Sequence, residues 1–184
     1  AKEVEVRDLA TGRAFRERYD KLILAPGAGA IVPDVPGIRA KNIFVVKTVP
    51  DSDALRRYLE SRRCSRAAVI GAGFIGLEAA EALHRRGLRV TVVEKLPQVL
   101  PPFDADMASF VERQLASEGI EVLLSDGVKA FHGGETAEEA ECESGRRIPF
   151  DLAILSIGVR PELKLARDAG LRIGASGGIE VDDR

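Results

Sequence analysis

The arrangement of apolar and polar residues in the first part of the chain predicts short strands joined by irregular segments. Residues 2–8 alternate in polarity, as a half-buried strand does. Short apolar runs at 22–25 and 43–46 have the length and composition of buried strands. Between them, residues 26–37 contain three prolines and three glycines, which indicate an irregular connection rather than a helix.

A glycine-rich turn directly follows a short apolar strand in the middle of the chain. The strand is AAVI at 67–70, and the turn is GAGFIG at 71–76. A helix with apolar residues along one side comes next and ends at Gly87, a natural residue just past a helix end. The β-branched run at 88–93 predicts a second strand. Strand, turn, helix and strand within about 30 residues form a βαβ unit.

Two further helices are predicted from capping residues and apolar spacing. Asp51 or Ser52 is expected to cap a helix that ends near Ser61. Asp104 is expected to cap another, which Gly119 closes. The apolar residues that this second helix carries at helical spacing are Met107, Phe110, Val111 and Leu115.

The pattern changes after the strand predicted at 120–124. Short strands separated by glycine turns between 128 and 150 indicate a small antiparallel β-meander, and a buried strand follows at 151–157. The elements together predict an α/β fold, a Rossmann-like parallel sheet with the meander attached.

Composition and charge remove several classes of function. The 184 residues are 45% hydrophobic and 30% charged, with a formal net charge of −2, so nothing indicates a nucleic-acid or anionic-membrane surface. No apolar run approaches the ~20 residues that cross a bilayer. Neither the cysteines, Cys64 and Cys142, nor the histidines, His84 and His132, have the spacing of a metal site or a redox pair, and we expect both thiols to be structural.

The glycine turn has the context that a dinucleotide site requires. Gly71 permits the tight turn out of the strand, Gly73 lets the backbone approach a pyrophosphate, and Gly76 allows the helix to pack closely on the strand. The helix N-terminus offers N–H groups to phosphates. Glu94 ends the second strand, where an acid accepts hydrogen bonds from the adenine ribose. The alternative is a glycine turn in a sheet that binds no nucleotide.

Glu94 also bears on the choice of cofactor. A carboxylate repels a 2′-phosphate, whereas an NADP site usually supplies arginine. Lys95 follows directly and would soften that exclusion. We therefore expect NADH in preference to NADPH.

These segments resemble the pyridine nucleotide-disulfide oxidoreductase family, within it the branch of coenzyme A-disulfide reductases, NADH oxidases and NADH peroxidases. The segment YDKLILAPGAGAIVPDVPG at 19–37 is similar to the family's closure around FAD, and VIGAGFIGLEAAEAL at 69–83 to its NAD fingerprint. The segment at 94–107 is most similar to the coenzyme A-disulfide reductases. LSIGVRPELKLARDAGL at 155–171 resembles the approach to a second FAD contact.

The resemblance implies that an NAD domain is inserted into an FAD domain. Residues 1–47 would be the end of the first FAD-domain segment, 48–170 the NAD(P)H-binding domain, and 171–184 the start of the returning FAD-domain segment. The sequence begins on a predicted strand without an initiator Met, so we interpret it as a segment of a longer enzyme. We expect that full-length enzyme to be cytoplasmic and homodimeric. The family's flavin pyrophosphate turn and redox cysteine are not in it, and the segment by itself is expected to be inactive.

The resemblance also implies roles for individual residues on the NAD side. Phe74 would shield the flavin until nicotinamide enters, whereas without the family resemblance it would be interpreted as a core aromatic. Ile75 would line the cofactor cleft. Glu78 would lie near the flavin and nicotinamide as the one catalytic candidate; without the family it is an ordinary first-turn acid. Phe103 would lie beside the adenosine, and Gly158 would contact the nicotinamide amide through its backbone.

On the FAD side, Ala25, Pro26 and Gly27 match the family's Ala-Thr-Gly, and Lys47 matches a basic position beside the flavin. Pro26 replaces the usual threonine, which removes a hydroxyl and an N–H from that contact.

The implied activity is hydride transfer from NADH to FAD and onward to a disulfide, a peroxide or oxygen. One alternative is a reductase of the same fold that passes electrons to a small iron–sulfur protein. A second alternative is a non-enzymatic NAD-binding sensor, against which the flanking FAD-domain segments argue.

Overall fold

The computed structural model describes residues 2–182, and its contacts divide the chain into two compact units. The larger unit comprises residues 29–160, and the smaller one comprises 1–28 with 161–184. The strands are β1 Glu3–Arg7, β2 Ala14–Arg18, β3 Ala28–Ala30, β4 Ile43–Val45, β5 Arg66–Ile70, β6 Arg89–Val93, β7 Glu121–Leu123, β8 Val128–Gly133, β9 Ala137–Cys142, β10 Arg147–Pro149, β11 Leu152–Leu155 and β12 Val159–Pro161. The helices are α1 Val49–Ser61, α2 Phe74–Arg85, α3 Ala105–Ser117 and α4 Lys164–Asp168.

A five-stranded parallel sheet in the order β4-β11-β5-β6-β7 forms the centre of the larger unit. Successive residues of β5 face opposite sides: Val69 packs with residues of the three long helices, whereas Ala68 packs with residues of the meander. The sheet is therefore covered on both faces, which explains why its strands are continuously apolar. The predicted α/β fold with a parallel sheet is confirmed.

The β-meander is an antiparallel sheet in the order β10-β9-β8. Phe131 and Phe150 meet edge to face at 6.1 Å in the apolar cluster beneath it. The side chain of Asn42, 1% exposed, ties this layer to the parallel sheet. Its amide donates to the carbonyls of Ala137 at 2.7 Å and Asp151 at 2.9 Å, and its Oδ1 accepts from the Ala137 N–H at 2.8 Å.

Helix α1 begins earlier than the sequence predicts. Its N-cap is Thr48, so the predicted caps, Asp51 and Ser52, are wrong. The reason is a reciprocal capping box, in which the Thr48 hydroxyl accepts from the Asp51 N–H while the Asp51 carboxylate accepts from the Thr48 N–H at 2.8 Å. Asp51 is thus the partner of the cap, three residues into the helix.

Helix α3 starts after Asp104 as predicted, but it buries only part of the predicted apolar set. Ala108 and Leu115 are buried, with Val111 partly buried between them. Met107 and Phe110 are exposed, since they lie one position before the stripe that faces the sheet. The small Ala108, which apolar spacing did not single out, allows the close approach.

The smaller unit contains the antiparallel hairpin of β1 and β2, the short helix α4 and an isolated bridge between Ile173 and Ile179. The predicted strand at 22–25 is wrong, because the structure has no strand there and Ile23 is 89% exposed. No described strand pairs with this segment, and an apolar run by itself provides no backbone partners.

The division at residues 29 and 160 differs from the predicted domain range of 48–170. Residues 29–47 join the larger unit because β4 pairs with β11 along the sheet edge and Asn42 bonds into the meander layer. Strands β3 and β12 form a separate two-stranded sheet. Which of these residues belong to an FAD domain in a longer protein stays a prediction.

Candidate functional site

The turn between β5 and α2 depends on glycine at two positions for steric reasons. Gly71 has φ +103°, and a Cβ there would lie 2.5 Å from the carbonyl oxygen of Ser156. A Cβ on Gly76 would lie 2.0 Å from the carbonyl oxygen of Gly71 and 2.6 Å from the Ser156 hydroxyl. Strand β11, helix α2 and the turn therefore meet at distances that no side chain permits.

Gly73 differs from the other two glycines because nothing lies within 4 Å of the position of an added Cβ. It is the N-cap of α2 and supplies no side-chain cap, so the first-turn N–H groups are left for a ligand. A helix N-terminus with free N–H groups and open space in front of it suits a pyrophosphate.

Glu94 has a second role that the sequence did not predict. The side chain is buried, and its two oxygens accept from backbone N–H groups of Ala72 at 2.7 Å and Leu96 at 2.8 Å. The carboxylate thus holds the glycine turn against the end of β6. Each oxygen of a carboxylate accepts about two hydrogen bonds, so both retain capacity for a ribose hydroxyl.

A cleft of about 630 Å³ opens at the carboxyl ends of the parallel strands, where ligands bind in open α/β sheets. This volume lies within the usual range of ligand sites, about 300–1,000 Å³. Of the predicted NAD residues, Gly71, Gly73, Glu94 and Gly158 line it. Its wall on the meander side includes Asp126, Gly127, Val128, Phe131 and Glu143.

The other predicted residues of the NAD side do not line this cleft. Phe74 and Glu78 line a separate groove of about 540 Å³ between α2 and α3. Phe74 is 58% exposed, so it is not a core aromatic. It meets Phe103 edge to face at 5.8 Å, and Ile75 beside it is exposed. Their predicted roles at a flavin or an adenosine stay predictions.

The predicted FAD residues are distributed over both units. Ala25, Pro26 and Gly27 are exposed in the smaller unit, where the Gly27 carbonyl accepts from the Glu162 N–H at 2.9 Å. Lys47 belongs to the larger unit and is exposed just before α1. Their roles toward a flavin also stay predictions.

Several residues of the cleft were not predicted from the sequence as site residues. The Ser156 hydroxyl shares its one proton between the carbonyls of Gly71 at 2.8 Å and Ile70 at 3.0 Å, which holds the glycine turn against the end of β11. Asp126 follows β7, so the rule that sites form after strand ends could have found it. Its carboxylate accepts from the Ser144 N–H and hydroxyl, which lowers its pKa. Glu143 lies on the meander and is brought to the cleft only by packing.

The described residues contain no candidate metal site, no membrane-spanning helix and no disulfide. Within 2–182, no group of three or more His, Cys, Asp or Glu side chains is arranged to hold a metal ion. None of the helices in that range has the length and apolarity to span a membrane. Cys64 is half-buried and Cys142 buried, both as free thiols.

The amino-acid sequence of the chain is similar to the sequences of several known proteins. An NADH oxidase of Methanocaldococcus jannaschii is 42% identical over 174 residues, which cover 94% of this chain and 38% of the relative. A coenzyme A disulfide reductase of Staphylococcus aureus is 30% identical, covering 98% of this chain and 40% of the relative. The chain therefore spans about 40% of the length of these relatives.

Solved structures share the fold. Reduced CoADR-RHD of Bacillus anthracis aligns with a TM-score of 0.91 at 41% identity, covering 96% of this chain and 31% of that one. The water-forming NADH oxidase of Lactobacillus brevis, bound to NADH, aligns at 0.88 and 33% identity, covering 99% and 40%. A putidaredoxin reductase in covalent complex with putidaredoxin aligns at 0.80 and 30% identity, covering 89% and 40%.

The sequence profile of one family matches residues 1–184, which is the whole sequence. This match confirms the resemblance that the fingerprint and its flanking segments indicated. The chain belongs to the pyridine nucleotide-disulphide oxidoreductase family.

Proposed function

We propose that this chain is the nicotinamide-dinucleotide-binding part of an FAD-dependent NAD(P)H oxidoreductase and that its cleft binds NADH. One observation carries the proposal: the uncapped N-terminus of α2, the open face of Gly73 and the Glu94 carboxylate all belong to one cleft. The bound NADH of the Lactobacillus brevis enzyme, whose structure aligns over 99% of this chain, supports the assignment.

The residues of the cleft suggest how NADH would lie in it. The pyrophosphate approaches Gly73 and the first-turn N–H groups, because the absence of a Cβ leaves that space open. The adenine ribose reaches Glu94, whose oxygens retain acceptor capacity. The nicotinamide end extends toward Gly158, which has φ +114° and exposes backbone at the end of β11.

The chain positions a dinucleotide, whereas the redox chemistry belongs to the cofactors, because nicotinamide and flavin supply hydride transfer when both are bound. Ser156 and Glu94 hold the turn rigid from two sides, so the pyrophosphate site is formed before the ligand arrives. Preformed sites avoid the cost of ordering the loop on binding.

The electron acceptor is proposed from the relatives rather than from the cleft. The named relatives include a coenzyme A disulfide reductase and NADH oxidases, which favours a small-molecule disulfide or oxygen as the acceptor. A peroxide as acceptor and a full-length homodimer are proposed from the family resemblance alone. The aligned putidaredoxin reductase complex supports one second candidate, a reductase that serves a small iron–sulfur protein.

Titration calorimetry of the 184-residue chain with NADH tests the binding proposal, with circular dichroism to verify that the chain is folded. We expect saturable binding with a Kd of about a millimolar or tighter, equivalent to about 4 kcal/mol or more. Reduced nicotinamide mononucleotide is the matched control. It lacks the adenosine half that Glu94 would recognise, so we expect it to bind at least about tenfold more weakly. No heat with NADH from a folded chain would refute the proposal.

A further inference from the structure

The cleft contains a single cation, and a carboxylate from another part of the fold holds it. Lys95 directly follows Glu94 at the end of β6 and is the only Lys or Arg among the cleft-lining residues that the structure describes. Its Nζ donates a 2.8 Å hydrogen bond to Oε1 of Glu143, which follows β9 on the meander. This contact also raises the pKa of the Lys95 ammonium.

The position of this ion pair is set by the backbone beneath it. The Glu143 N–H donates to the Gly127 carbonyl at 2.7 Å. This bond fixes the backbone from which the Glu143 side chain extends. A Cβ on Gly127 would lie 2.9 Å from Oε1 of Glu143 and 3.3 Å from Cδ of Lys95, so both side chains lie across this glycine. The pair thus spans the wall between the end of β6 and the meander.

The charges around this wall disfavour a phosphate. Glu94, Asp126 and Glu143 all line the cleft, against one lysine whose ammonium already has a carboxylate partner. A nucleotide phosphorylated at the 2′-oxygen brings further negative charge to the ribose that Glu94 would bind, and it needs a free cation there.

We propose that Glu143 is a specificity-determining residue, which disfavours NADPH by holding Lys95 away from a 2′-phosphate. This inference rests on the proposed binding of NADH in the same cleft. Glu94 disfavours the 2′-phosphate directly, whereas Glu143 acts through Lys95 from a distant segment of the chain. Both side chains of the pair are more than half exposed, and exposed ion pairs are weak, so the expected effect is a few-fold change rather than a complete switch.

Calorimetric Kd values of the chain for NADH and NADPH test the inference, and the ratio of the two constants is the readout. Glu143→Gln should shift the ratio of the two constants about fivefold in favour of NADPH, equivalent to about 1 kcal/mol. The gain should shrink at higher ionic strength, because a phosphate–ammonium contact at the surface is screened. Adding Lys95→Gln to Glu143→Gln should remove the gain.

Glu141→Gln is the matched control. It breaks another Lys–Glu pair on the same meander, between Lys129 and Glu141 at 3.0 Å, together with the 2.7 Å contact between Glu141 and His132. None of these three residues lines the cleft, and the ratio should not change. If Glu143→Gln still binds NADH but its ratio is unchanged, the inference about Glu143 is wrong while the proposed function stands. The same holds if the gain persists after Lys95→Gln is added. If the folded wild-type chain binds neither nucleotide, the proposed function fails and this inference fails with it.

Discussion

Two of the three fingerprint glycines, Gly73 and Gly76, should respond differently to the same added methyl group, because the structure gives them different surroundings. In Gly76→Ala the methyl would lie 2.0 Å from the Gly71 carbonyl oxygen, well inside contact distance. In Gly73→Ala it would meet nothing within 4 Å and requires no unusual φ. We expect Gly76→Ala to destabilise the fold, and Gly73→Ala to leave the fold intact but weaken nucleotide binding.

The size of the Gly76→Ala effect follows from three contributions. Overpacking against a rigid backbone costs about 3 kcal/mol, at the upper end of the usual range. Displacing Ser156 from its 2.8 Å hydrogen bond to Gly71 costs about 1 kcal/mol. The higher helix propensity of alanine returns about 1 kcal/mol. The net loss of about 3 kcal/mol lowers Tm by about 6–12 °C in a chain of this length.

For Gly73→Ala, the less favourable N-cap costs at most about 1 kcal/mol, so Tm should change by no more than about 4 °C. The methyl would occupy the space through which the pyrophosphate approaches, and we expect NADH binding to weaken about tenfold or more, equivalent to about 1.4 kcal/mol.

Thermal melting by circular dichroism and calorimetry with NADH separate the two effects. Gly134→Ala is the matched control, since Gly134 also has open space around an added Cβ but lies in a meander turn away from the cleft. It should change neither Tm nor the NADH Kd appreciably. The assignment of the glycines is wrong if Gly76→Ala melts within about 2 °C of the wild type. It is equally wrong if Gly73→Ala binds NADH as tightly as the wild type does.

Two predictions concern the layer between the sheet and the meander. Asn42→Ala removes three hydrogen bonds, two of them to the buried backbone N–H and carbonyl of Ala137, while the Asp151 carbonyl keeps the Tyr58 hydroxyl at 3.3 Å. We therefore expect a loss of about 3 kcal/mol in chemical denaturation; a loss below about 1 kcal/mol would contradict this. Burial, reinforced by Asp126, raises the pKa of the Cys142 thiol from 9.0 to about 11. As the pH rises, the unfolded chain therefore loses this proton before the folded chain does. The stabilisation of the fold by the protonated thiol is complete below about pH 9 and is lost as the pH rises toward 11. Cys142→Ala should show a shallower decline in unfolding free energy over that window, and an equally steep decline would refute the assignment.

The sequence by itself determined the parts of this protein whose signals are local. The strand, glycine turn, helix and strand between 67 and 93 are all present as predicted, because spacing within about 30 residues specifies them. Glu94 was predicted from its place at the end of the strand after the fingerprint helix, whereas Gly158 was predicted from the family resemblance. Both line the cleft, since residues after strand ends collect at one edge of a parallel sheet.

Only the tertiary structure decided which local elements find partners. The apolar run at 22–25 predicted a buried strand, yet burial needs a neighbour that composition does not reveal. Helix α3 carries apolar residues on more than one face, and the packing on the sheet selected Ala108 and Leu115 while leaving Phe110 exposed. Apolar spacing in the sequence limits which faces of a helix can be buried. The contact with the sheet determines which of those faces is buried.

The charge arrangement of the cleft was likewise decided in three dimensions. Lys95 could be identified beside Glu94 from the sequence, but its partner Glu143 lies 48 positions away on the meander. Ser156 reaches Gly71 across 85 positions in the same way. Such contacts leave no periodicity or spacing in the sequence, because they depend on which strand ends and turns the fold brings together.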